Sequence, residues 1–114
     1  MKARPLRSRH WLAAAAFVGG ASIACIAHAQ DERAIALLHQ YKCYVCHADR
    51  ETKTGPAYAD VAAWYEGVAG AKSRVAAVIR KGAHGGGPWH MPPHPEVSEA
   101  DARTMAHYIL SVRR

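Results

Sequence analysis

The sequence predicts an all-α domain of three to five short helices with one long irregular loop. Three observations predict it. Apolar residues recur at helical spacing in four separate stretches, and no segment shows the alternation of a strand. Glycine and proline break the stretches apart, densely so from Gly85 to Pro95. The two cysteines and one histidine near the middle of the chain lie directly after the first helical stretch and not within a βαβ pattern.

The elements follow in order. Asp31 to Tyr41 reads as the first helix, with Ala34, Ile35, Leu38 and Tyr41 on one face, and Asp31 and Glu32 suited to the positive end of the helix dipole. Asp49 to Gly55 is polar and ends in the turn signal Gly55-Pro56. Ala57 to Tyr65 is a short helix broken by Gly67 and Gly70. Ser73 to Lys81 is a third, with Ser73 as a candidate cap, Val75, Val78 and Ile79 as its apolar stripe, and Gly82 as its stop. The stretch from Gly85-Gly86-Gly87-Pro88 through Pro92, Pro93 and Pro95 has no regular structure in this reading. The last helix has the clearest signals: Ser98 and Asp101 approximate a capping box, and Val97, Ala102, Met105, Ala106, Ile109 and Val112 form the stripe. Met105, inside that stripe, reads as core. Trp64 and Tyr65 suit core positions of the second helix, and Tyr108 suits a place where the terminal helices meet.

Residues 1–29 read as a secretory signal rather than as part of the fold. Lys2, Arg4, Arg7 and Arg9 form a basic start, Trp11 to Ile26 is apolar, and Ala27-His28-Ala29 is an A-x-A cleavage site that makes Gln30 the first residue of an 85-residue domain, 30–114. The apolar run is shorter than the ~20 residues of a spanning helix, so the domain is not expected to span a membrane once the signal is removed. Ser22-Ile23-Ala24-Cys25 only faintly resembles a lipoprotein box, because the leucine usual three positions before the cysteine is missing; Cys25 is read as part of the discarded signal. The expected location is the periplasm.

The signal also changes the charge argument. The whole chain is +6, but four of its fifteen Lys and Arg residues and none of its nine Asp and Glu residues precede Gln30. Eleven basic residues then face nine acidic ones, a net +2. No basic run with interleaved aromatics remains, which argues against nucleic acid as a partner. A domain this small buries a modest core and benefits from a bound group; its one remaining cysteine pair offers no disulfide framework.

That pair is Cys43-Tyr44-Val45-Cys46-His47, the C-x-x-C-H attachment signature of a c-type haem. Two thiols three positions apart each add to one vinyl group of a single porphyrin edge, and the next histidine offers a neutral imidazole nitrogen to the iron. A zinc ribbon would need a second C-x-x-C, and the spaced pair His90 and His94 lies 44 residues beyond Cys46, far past the ~12–15 of a mixed zinc site. The sixth iron position decides use: filled, the iron mostly carries electrons; open, it binds ligands or does chemistry. Met91, in His90-Met91-Pro92-Pro93, is the candidate, because prolines hold a loop at low entropic cost. His90 is the alternative, with His84 and His94 further behind.

These residues, with T-G-P-A-Y-A-D-V-A, M-P-P-H-P-E-V-S-E-A-D-A and A-H-Y-I-L in that order, resemble the small bacterial class I cytochromes c over nearly all of residues 31–112. The resemblance implies the cytochrome c fold, with the helices around one covalent haem c, the terminal helices crossing and the haem edge exposed. It implies His47 and Met91 as iron ligands, and a Pro56 carbonyl that accepts a hydrogen bond from the second ring nitrogen of His47. Relatives often carry a tryptophan several residues before the methionine, in reach of a haem propionate. Trp89 stands only two before Met91, so that role is not carried over to it. The implied function is a monomeric electron carrier, not an enzyme, meeting larger redox proteins transiently. Two alternatives stay open: a haem subunit of a larger oxidoreductase, and a catalytic or sensing haem with a displaceable sixth ligand.

Overall fold

The computed structural model describes residues 20–84 and 90–114. In chain order it holds α1 (Gly20–Gln40), a 3₁₀ turn (Cys43–Val45), α2 (Tyr58–Trp64), α3 (Ala71–Lys81), β1 (Ala83–His84), β2 (His90–Met91) and α4 (Glu99–Ser111). The start of the expected signal, residues 1–19, lies outside the described residues, as does Trp89.

The all-α expectation holds, with one addition. The loop expected to be wholly irregular contains a two-residue antiparallel ladder, Ala83 opposite Met91 and His84 opposite His90. Two pairs need no alternating pattern, so nothing in the sequence flagged it. Helix boundaries also differ. The first helix does not start at Asp31 but runs on from Gly20, because residues 21–30 contain no breaker and are rich in alanine. Residues 23–30 are exposed throughout, and burial begins at Ala34. The cap of α3 is Gly70, in the left-handed region at φ 70°, and Ser73 lies inside the helix.

The core is assembled on α4, which packs against α1, α2 and α3. All six residues of its expected stripe are buried, and Met105 and Val97, with Leu38 from α1, are the largest side chains to be fully buried. Leu37 and Ala76 join the core from α1 and α3. Tyr65 packs against this core, whereas Trp64 is 64% exposed, so α2 does not bury its tryptophan.

Two carboxylates, Asp101 and Asp49, tie the first part of the domain to α4. Ser98 Oγ accepts from the Asp101 amide at 3.1 Å, half of a capping box. The Asp101 carboxylate instead accepts from the Tyr41 hydroxyl at 2.9 Å and lies 3.5 Å from Arg33 of α1. Tyr108 of α4 donates to Asp49 Oδ2 at 2.7 Å, and Tyr44 donates to Oδ1 of the same carboxylate at 3.1 Å. Burial, and then the charge of Asp49, push the Tyr44 hydroxyl well above the ordinary phenol range, so it stays a donor. Asp49 therefore joins the segment after Cys46 to the last helix.

Candidate functional site

Lys42, in the left-handed region at φ 60°, turns the chain out of α1 and into the 3₁₀ turn. Cys43 O then accepts from the amides of Cys46 at 3.1 Å and His47 at 3.0 Å. This tight winding puts Cys43, Cys46 and His47 within one turn. Both cysteines are half-buried, and no disulfide joins them. Burial pushes the Cys43 thiol up, opposite to what a redox-active dithiol needs. Among the described residues, no group of three His, Cys, Asp or Glu side chains is placed to hold a metal ion.

The segment from Ala48 to Ala57 folds back over this turn. The Gly55 amide donates to Cys46 O at 2.7 Å, and the amides of Tyr58 and Ala59 donate to Ala48 O and Asp49 O, each at 2.9 Å. Lys53 Nζ donates to Tyr44 O at 2.6 Å. That return brings the Pro56 carbonyl 2.8 Å from His47 Nδ1. A carbonyl only accepts, so Nδ1 carries the proton and Nε2 keeps its lone pair, the tautomer that ligates a metal. One face of the imidazole stacks on Tyr58, with ring centres 5.2 Å apart and an 18° angle between planes. Gly55 supplies a second wall: a Cβ there would lie 2.4 Å from His47 Cε1. The imidazole is thus oriented by a hydrogen bond, a stacked ring and a bare backbone.

Met91 is half-buried on β2, behind Gly82. Gly82 has φ 78° and ψ 178°, and a Cβ on it would lie 2.5 Å from Met91 O and 2.9 Å from Pro93 N. Beyond Met91, the His94 amide donates to Arg80 O at 3.1 Å, and Arg80 Nε donates to Val97 O at 3.0 Å. The Met91 segment is therefore held by the ladder on β1 and, beyond Met91, by Arg80 at the end of α3. His90 is exposed, and His94 pairs with Glu96 at 3.1 Å.

The donor set fits a c-type haem. It supplies two unbridged thiols at the right spacing and an imidazole whose second nitrogen is engaged. Three contributors escaped the sequence: Gly55, Gly82 and Asp49. Gly55 and Gly82 were legible only as turn and stop signals. Asp49 had no signal at all, because its partner Tyr108 lies 59 residues away.

Comparisons with known proteins bear on the family. The model of the Cytochrome c family matches residues 32–113. The chain is 46% identical over 70 residues to cytochrome c-551 of Pseudomonas aeruginosa, covering 60% of this chain and 66% of that protein, just under two thirds of its length. It is 39% identical to cytochrome c-551 of Stutzerimonas stutzeri, covering 84% of this chain and 90% of that one. The crystal structure of Nitrosomonas europaea cytochrome c552 superposes with a TM-score of 0.67 at 35% identity, covering 69% of this chain and 99% of that chain. Membership implies one covalent haem c, and Cys43 and Cys46 stand at the spacing that attaches it. The chain therefore belongs to the cytochrome c family, as a small bacterial class I member.

Proposed function

We propose that this protein is a periplasmic electron carrier that passes one electron at a time between larger redox proteins and performs no catalysis itself. The anchoring of Met91 carries the reading. A residue whose backbone rests on Gly82 and whose flanks are held by the ladder and by Arg80 suits a permanent ligand better than a displaceable one. In this reading His47 Nε2 and the Met91 thioether would hold the iron.

Haem c supplies a one-electron iron couple, and the chain's own residues set how that couple behaves. The Pro56 carbonyl fixes the orientation of His47 and raises its basicity. The Met91 thioether, a weak neutral donor, favours the reduced state and raises the potential. A near-neutral surface and a small domain suit brief encounters, of the kind that bury less than about 1,200 Å². Met91→Ala is the test. It should abolish the far-red sulfur-to-iron band of the oxidised protein and lower the potential by on the order of 0.1 V, a fraction of the ~0.8 V that axial ligands span. If band and potential survive, His90 or another group is the ligand and the reading fails.

Export completes the proposal. Among the described residues, no helix is long and apolar enough to cross a membrane. Cleavage after Ala29 would bring Asp31 and Glu32 into the first turn of α1, where their charge favours the helix. Mass spectrometry of the exported protein should give a chain starting at Gln30 plus one haem. A lipid on Cys25, or a retained leader, would refute the cleavage assignment.

A further inference from the structure

The pair His84 and His90 is not used by the reading above. The two residues stand directly opposite each other on the ladder, and both are exposed. Their ring centres are 4.5 Å apart, with the planes inclined at 46°. Three of the other described imidazoles are committed differently: His47 to Pro56, His94 to Glu96, and His39 to the Tyr44 ring. Among the described residues, neither His84 nor His90 makes a hydrogen bond to another side chain.

We propose that His84 and His90 form a surface site for a borderline divalent transition-metal cation of the Zn(II) or Cu(II) class. The separation is the one such a site requires. Metal–imidazole bonds of about 2.0 Å put the centres of two cis-coordinated rings about 4–5 Å apart. The mutual tilt lets nitrogens converge, which parallel stacked rings do not. Imidazole is the side chain that selects this class over calcium or magnesium. With only two protein ligands, water completes the coordination and the affinity is micromolar. The site rests on the reading that Met91, and not His90, ligates the haem iron; the far-red band of Met91 ligation tests that reading separately. Its position matters nonetheless: a bridging cation staples β1 to β2 one residue before Met91.

Calorimetric titration of the oxidised, haem-loaded protein with Zn(II) tests it. The expected result is one equivalent bound with micromolar affinity. His84→Gln and His90→Gln should each weaken binding at least tenfold, since even residues that merely support a metal ligand are worth 10–100-fold. His107→Gln, on α4, should leave it unchanged. Zn(II)-induced NMR shifts in the reduced wild-type protein should fall first on the rings of His84 and His90, which keeps the test decisive if a variant folds poorly. Absence of saturable binding, unchanged affinity in His84→Gln, or shifts centred elsewhere would overturn the proposal.

Discussion

Gly82→Ala should lower the stability of the folded protein by about 3 kcal/mol, because it combines a backbone region nearly exclusive to glycine, itself worth about 1–3 kcal/mol, with a backbone clash. Gly82 has φ 78° and ψ 178°, and its added methyl would sit 2.5 Å from Met91 O and 3.0 Å from Pro92 C. None of those atoms is the end of a flexible side chain, so relief requires moving the Met91–Pro93 backbone. For a domain of this size the loss should appear as a drop of about 15 °C in melting temperature. The far-red band should weaken with it, since the strand displaced is the one that carries Met91. Gly70 provides an internal comparison. It has φ 70° but nothing within 4 Å of its added Cβ. Gly70→Ala should therefore cost only the left-handed backbone penalty, about 1–2 kcal/mol, and leave the spectrum intact. Equal losses for the two variants would show that the close approach at Gly82 contributes nothing.

Gly55→Ala acts at His47, the other iron ligand of the proposed reading. Its Cβ would come within 2.4 Å of His47 Cε1 and 2.9 Å of Nε2. A side chain can normally swing aside, but this ring has Tyr58 stacked on it and its Nδ1 bonded to Pro56 O. Either the ring gives up that bond, worth about 1 kcal/mol, or the loop over Cys46 opens. An imidazole without its carbonyl partner is a weaker base and supports the oxidised state less well. The potential should then rise by on the order of 50 mV, which is that ~1 kcal/mol expressed at about 2.3 kcal/mol per 100 mV. Redox titration and the yield of haem-loaded protein are the two readouts. An unchanged potential with full haem loading would mean that the ring finds another seat at no cost.

Both substitutions fall on residues that the sequence marked only as punctuation. The helices were legible because each buries a stripe: every apolar position expected of α4 lies in the core, and Met105 is fully buried. The attachment motif was legible because its spacing is local. The contents of the polar segments were not. Nothing local says that Gly55 must stay bare for a ring eight positions earlier, or that Gly82 receives a backbone nine positions later. Asp49 looked like one more charge in a solvated stretch, yet it accepts from two tyrosines that the fold brings from either side. Boundaries failed for a different reason. Where α1 begins depends on whether a breaker intervenes, and the alanine-rich run before Asp31 holds none. At α3 a left-handed glycine did the work expected of Ser73.

The central place of α4 bears on the order of events in the life of the chain. Among the described residues, α4 is the surface shared by all three other helices, and its own residues are made after theirs. A chain delivered from its first residue onward exposes Cys43 and Cys46 long before Val97 to Val112 arrive. Until they do, α1, α2 and α3 have no common face to close on, and Tyr41 and Asp49 lack their partners Asp101 and Tyr108. The thiols thus stay reachable for covalent modification throughout delivery. The architecture works as a timer: the helix that closes the fold follows the thiols in the chain.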